Sequence, residues 1–168
     1  MGIVDDLPKR IVIYQGNFQG LDYDALVAKF NDLYLAGHGE YLGRDQECVA
    51  LPQRLTDVGY TGRWAAGPRV IDLDFLPPGT VIANFKTING KRKFPSQSGW
   101  HAALFDQYRR GTVMVNGLPC EFSMFDQFHG KPAGLRGVAR LTPEWKKANP
   151  VFGTPSNDAA EFYVVVVP

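Results

Sequence analysis

Cys48 sits in DQECVALPQ, residues 45–53, where a polar turn gives way to an apolar run, and it is one of only two cysteines in the chain. A cysteine there can be a buried small hydrophobe, half of a disulfide with Cys120, a metal ligand or a nucleophile. The metal reading lacks a Cys-x-x-Cys or His-x-x-x-His spacing. An origin in the cytoplasm argues against a standing disulfide. The buried and nucleophilic readings stay open. A thiol nucleophile needs a base and a lowered pKa, and the free N–H groups at the start of a helix supply part of the second. Asp45 is placed to cap such a helix. Pro52 has no N–H for the carbonyl of Cys48, so it is accommodated only if the helix begins at or just after Cys48.

A base must come from three histidines. His38, in GHGEY, and His129, in FHGKP, read as solvated loop residues. His101 stands in GWHAALF, a strand-like run of small and apolar residues, where an imidazole costs free energy unless its nitrogens find partners. A backbone carbonyl would satisfy it, and so would a catalytic constellation. In CEFSMFDQF, alternation puts Phe122, Met124, Asp126 and Phe128 on one face. A carboxylate among large apolar groups needs a donor, for which His101 Nδ1–H, a backbone N–H and Arg136 are the candidates. Gln127 takes that orienting role if the register differs by one residue. Tyr41, seven residues before Cys48, offers a hydroxyl as a second oxyanion donor beside the Cys48 N–H. Trp64 and Trp100 are either walls of a substrate cleft or core and rim aromatics. Cys120, after Pro119 in a hairpin without a basic neighbour, reads as structural.

These groups must be carried by a limited set of elements. LDYDALVAKFNDLYLAG predicts a helix capped by Asp22, with Leu26, Phe30, Leu33 and Tyr34 at helical spacing and Gly37 suited to the left-handed C′ position. A second helix follows GRDQE, with Cys48, Val49 and Leu51 near its start. RIVIY (10–14) is a short β-branched run. From residue 80 the pattern turns to strands: TVIANF, GWHAALF, TVMVN, CEFSMFDQF, RGVARL and EFYVVVV, with turn signals such as Asn116-Gly117 and His129-Gly130. Helices first and strands afterwards is an α+β layout, with helices packed on one face of a mostly antiparallel β-sheet.

The chain has 168 residues, suited to one domain over 1–168. Its 18 basic and 17 acidic residues give a formal charge of +1 without long runs of one sign. The electrostatic footprint of nucleic-acid binding is therefore absent. MGIVDDLPKR has no apolar core of a cleavable signal peptide, and Asp6 breaks a myristoylation pattern. The longest apolar run, FYVVVVP, is too short to span a membrane.

ECVALPQ, GWHAALF and FDQF, with the turn-to-strand phrase LPPGTVIANF between the first two, resemble the papain-like peptidoglycan hydrolases of the NlpC and CHAP families over roughly residues 40–140. Their order is a cysteine at a helix start, a histidine within a strand and a polar residue on the next paired strands. The resemblance implies a papain-like α+β fold and a cysteine amidase or endopeptidase acting on peptidoglycan stem peptides without cofactor or metal. It makes Cys48 the nucleophile, His101 the base and Asp126 the residue that fixes the imidazole. Small domains of this kind without a signal peptide occur as type VI secretion amidase effectors, neutralised in the producer by an immunity protein, and as phage lysins. It implies synthesis in the cytoplasm and action in the periplasm or cell wall of target bacteria. The alternative is a non-catalytic module that binds cell wall or protein and uses the same residues for packing.

Overall fold

A computed structural model describes residues 8–168. Most of MGIVDDLPKR lies outside the described residues, and with it the reading against a leader or a lipidation site. The elements are β1 (Arg10–Ile11), α1 (Tyr23–Leu35), α2 (Ala50–Leu55), β2 (Ala65–Arg69), β3 (Val81–Asn84), β4 (Lys86–Ile88), β5 (Lys91–Lys93), β6 (Ala102–Tyr108), β7 (Met114–Val115), β8 (Leu118–Phe128), β9 (Lys131–Ala139), α3 (Pro143–Ala148) and β10 (Phe162–Val167). Eight strands form one sheet, ordered β1-β10-β3-β6-β8-β7, with β2 also on β10 and β9 also on β8. These strand pairs are antiparallel. The fold is mixed α/β with a mostly antiparallel sheet. Among the described residues, no helix is long and apolar enough to cross a membrane.

The central strands are apolar on both faces because both faces are covered. Val81, Ala83, Ala102, Leu104, Val165 and Val167 share one core cluster with Leu26, Val27 and Phe30 of α1 and Leu51 and Leu55 of α2. Their neighbours in sequence, Ile82, Ala103, Phe105, Phe162 and Val164, belong to a second cluster closed by Val70, Ile71, Leu76 and Ala159. That second covering is built from 3₁₀ turns and loop. The strand period of two sorts the side chains, and each fully buried Leu, Ile, Val or Phe stabilises by about 1.5–3 kcal/mol.

Helix α1 follows its local signals. Asp22 Oδ1 accepts from Ala25 N–H at 2.8 Å. At the other end His38 N–H reaches Leu33 O and Gly37 N–H reaches Tyr34 O, with Gly37 at φ +81; together these form a Schellman motif. His38 thus closes a helix through its backbone. Strand β2 is absent from the sequence reading because AAGPR contains Gly67 and Pro68, both poor strand formers. A Cβ on Gly67 would stand 2.9 Å from Val164 O, and the pairing of β2 with β10 shifts register at that point. Glycine and proline are tolerated there because the ladder is already broken. The β4–β5 hairpin turns at Asn89 and Gly90, both at positive φ, as a two-residue I′ loop requires.

Candidate active site

Cys48 lies in the turn ahead of α2, whose N-cap is Val49 without a side-chain cap. Asp45 does not cap this helix: its Oδ1 accepts from Glu47 N–H at 3.0 Å, a local turn two residues long. Pro52 falls in the first turn of α2, where no intrahelical donor is needed. With six residues, α2 supplies only a weak positive end. The loop before it is held from two sides. Gly43, at φ +92, passes so close to α2 that a Cβ would stand 2.4 Å from Ala50 O. Gln127 Oε1 accepts from Leu42 N–H at 2.7 Å, and its Nε2 donates toward the carbonyls of Leu42, Asp45 and Glu47 at 2.9, 3.1 and 3.1 Å. Gln127 is therefore a buried clamp on the loop that carries Cys48. It neither orients the histidine nor faces substrate, as the sequence reading had allowed.

His101 enters β6 from the groove side. Its N–H donates to Asn84 Oδ1 at 2.9 Å and its C=O accepts from Asn84 N–H at 2.8 Å. The amide of Asn84 is tied in turn to Pro155 O and Glu161 O. The buried ring is flanked edge-on by Phe128 and Phe162. Its Nε2 meets Asp126 Oδ2 at 2.7 Å. The sequence offers Nδ1–H as one candidate donor to Asp126; the fold uses Nε2, with Arg136 also bonded there. With Nε2 engaged, Nδ1 is the nitrogen left for the thiol. Cys48 Sγ lies 3.9 Å from Trp100 O and also feels the N–H of Ala102, so the sulfur rests against the backbone on both sides of His101.

Asp126 and Gln127 are consecutive, and strand alternation sends them to opposite faces of the sheet: one to the imidazole, the other to the Cys48 loop. Asp126 is fully buried, and two cations from β9 converge on it. Lys131 Nζ donates to Oδ1 at 3.0 Å and Arg136 Nε to Oδ2 at 2.9 Å. Burial alone would raise the Asp126 carboxyl, but Arg136, the His101 bond and Lys131 outweigh it and hold it well below the usual carboxylate range. Burial pushes the His101 imidazole down. Asp126 opposes that shift, while Arg136 and Lys131 add to it. Burial also pushes the Cys48 thiol up to about 11; Glu47 and Asp126 add to this, against the N–H groups of Ala102 and Val49. Burial thus favours the undissociated thiol and the neutral imidazole. The lowered thiol pKa expected from a helix start is not realised, because the helix is short and the sulfur half-buried.

The thiol and the ring open onto one groove of about 810 Å³, walled by Phe94, Trp100, Phe128 and Phe152, with Arg136 reaching its floor. His129 stands exposed at its rim. Trp100 is a cleft wall, as one of the two sequence readings has it. Trp64 is not: it is a core residue whose Nε1–H donates to Val58 O and Gly59 O, with its ring 5.2 Å from Phe94. Tyr41 is half-buried and does not line the groove. Cys120 is a buried free thiol beneath Gly137, so the two cysteines are not bridged. Lys131 escaped the sequence reading. Its one signal is a lysine that opens a strand straight after the His129-Gly130 turn, where the hairpin folds it back onto Asp126.

The family model described as domesticated amidase effector 2 matches residues 31–165. That span includes Cys48, His101 and Asp126, together with Lys131 and Arg136. Among solved structures, type 6 secretion amidase effector 2 is similar to this chain at 25% sequence identity. The TM-score is 0.57, and the match covers 77% of this chain and 86% of that one. No curated protein matches the chain in sequence.

Proposed function

The chain belongs to the domesticated amidase effector 2 family, and from that premise we propose that it is a cysteine amidase that hydrolyses amide bonds in the peptide stems of bacterial peptidoglycan. The observation that carries the reading is the convergence of three groups: Cys48 and His101 line one groove, Cys48 Sγ lies 3.9 Å from Trp100 O next to the histidine, and His101 Nε2 meets Asp126 Oδ2 at 2.7 Å behind it. The family match and the likeness to a type 6 secretion amidase effector support the same chemistry.

As the sulfur of Cys48 attacks the amide carbonyl carbon, its proton passes to His101 Nδ1, and Asp126 stabilises the imidazolium that forms. The Cys48 N–H, in the turn before α2, donates to the oxyanion; one such donor is typically worth about 10²–10³ in rate. His101 then protonates the leaving amine as the C–N bond breaks, which leaves a thioester on Cys48. Water gives a proton to the same nitrogen as it attacks the thioester. Release of the carboxylic acid returns the thiol.

The arrangement is papain-like: a cysteine ahead of a helix, a histidine at the start of a strand, an acid on the paired strand, and α1 and α2 against one face of the sheet. We read residues 1–168 as one catalytic domain. In this reading the protein is delivered through type VI secretion to act on the wall of rival bacteria, and an immunity protein shields the producer. Digestion of isolated peptidoglycan, followed by mass spectrometry of the released fragments, tests the function. Wild type releases stem-peptide fragments, and Cys48→Ala and His101→Ala abolish release to a similar extent, because members of one catalytic unit act together. Fragment release that survives Cys48→Ala removes Cys48 as the nucleophile, and a folded wild type that releases none returns the protein to the binding-module reading.

A further inference from the structure

One acceptor is enough to fix an imidazole ring, and one cation would neutralise a buried carboxylate. Asp126 has two. Lys131 also donates toward the carbonyls of Asp126, Pro132 and Gly134, with its ammonium over the Tyr34 ring. It is thus locked in place with its charge against Oδ1. Arg136 is divided between two tasks: Nε serves Asp126, while Nη1 donates to Asn157 Oδ1 at 2.9 Å and Nη2 to Ser156 O at 3.0 Å. Those partners lie in the segment that carries Phe152, a wall of the groove. One carboxylate between two cations leaves a local surplus of positive charge, and a protonated ring would add to it.

We propose that Lys131 and Arg136 are positioning residues for the chemistry above: acting through Asp126, they hold the His101 ring uncharged with Nδ1 toward Cys48, and Arg136 also ties this assembly to the groove wall bearing Phe152. The proposal rests on His101 serving as the base. The charged groups that act on the ring are Asp126 from β8 and Lys131 and Arg136 from β9; the other charged and titratable groups that line the groove with it are Cys48, Glu47 and Arg44 from the loop before α2 and His129 from the turn after β8. Of these, Arg44 is paired with Asp45 at the surface. The lowered imidazole pKa, to which both cations contribute, agrees with this placement.

Nitrogen-15 NMR of the His101 ring tests the proposal without substrate. In the wild type at pH 7 the ring is neutral, with the proton on Nε2. In Lys131→Gln, which keeps donors but loses charge, and in Arg136→Gln, the ring titrates at higher pH; Arg136→Lys restores the titration. Rates on isolated peptidoglycan follow. The acid limb of the kcat/KM profile moves to higher pH in both Gln variants, with roughly a tenfold loss on that limb, the scale of one nearby charge. Arg136→Lys recovers the limb but keeps a raised KM, since its ammonium cannot also reach Asn157 and Ser156. Folded Gln variants whose ring titration is unmoved overturn the proposal. If Lys131→Gln does not fold, Arg136→Gln decides. A ring already charged at pH 7 in the wild type overturns the proposal whatever the variants do. A protein that cuts no wall but whose ring titration shifts as described has lost the proposed function and kept this one.

Discussion

Replacing Asp126 by Asn keeps the shape of the side chain and an oxygen for the His101 Nε2–H, but it removes the anion on which Lys131 and Arg136 converge. Their side chains are 9% and 18% exposed, and Asp126 is fully buried. Water therefore screens the two cations poorly once their counter-charge is gone. Breaking a buried ion pair from one side costs about 3–5 kcal/mol. The carbonyl bonds of Lys131 and the loop contacts of Arg136 remain, so the penalty is one of uncompensated charge and not of lost donors. For a chain of this size each kcal/mol lowers Tm by about 2–4 °C, which places Asp126→Asn roughly 6–20 °C below the wild type. Adding Lys131→Met removes one of the stranded cations. The double variant should therefore be more stable than the summed single effects predict, by about 0.5–3 kcal/mol. Thermal and urea unfolding followed by circular dichroism measure all four corners of this cycle. An Asp126→Asn protein within about 1 kcal/mol of wild type, or strict additivity in the cycle, would refute the account of Asp126 as the anchor of two cations. The same variant should lose about 10²–10⁴ in kcat, since the imidazolium formed in the reaction has no anion behind it.

Two further expectations concern the loop that carries the nucleophile. With its thiol raised from the ordinary 9.0 to about 11, Cys48 should react with iodoacetamide near neutral pH about a hundredfold more slowly than a free thiol, since each pKa unit is tenfold in thiolate. Alkylation rate against pH, with Cys48→Ala as the blank, gives the inflection; one at the ordinary thiol value would contradict the raised thiol, and one below neutral pH would show a dissociated resting sulfur. Gln127→Leu strips the clamp from Leu42, Asp45 and Glu47, and each buried group left unpaired costs about 1–3 kcal/mol. Its kcat should fall while the His101 ring signal stays at its wild-type position. A displaced ring signal would mean that Gln127 acts on the histidine after all.

Local chemistry was legible wherever one segment contained its own reasons. The α1 helix announces both its ends, through Asp22 and Gly37, and the alternation in CEFSMFDQF separates Asp126 from Gln127. Local chemistry and a family resemblance single out Cys48, His101 and Asp126; the fold places Cys48 and His101 on one groove, with Asp126 bonded to the ring behind it. What stayed hidden depends on partners distant in the chain. The choice of Nε2 over Nδ1 depends on how the ring is held by Asp126, Phe128 and Phe162, and nothing in GWHAALF states it. For Trp64 the sequence leaves cleft wall and core both open, because its indole acceptors, Val58 O and Gly59 O, exist only once the loop closes over it. The role of Gln127 is hidden because its four bonds go to a loop 80 to 85 residues earlier. Lys131 was overlooked because lysine is normally a surface residue, and only the tight β8–β9 turn folds it inward.

The undissociated sulfur has a consequence for durability. Peroxides and other oxidants attack thiolates at accessible sites and convert them by steps to sulfinic and sulfonic acids that most cells cannot reverse. A cysteine whose burial favours the protonated thiol offers such reagents little to attack. Reactivity that resides in an arrangement of groups, and not in a standing anion, spares the sulfur that loss.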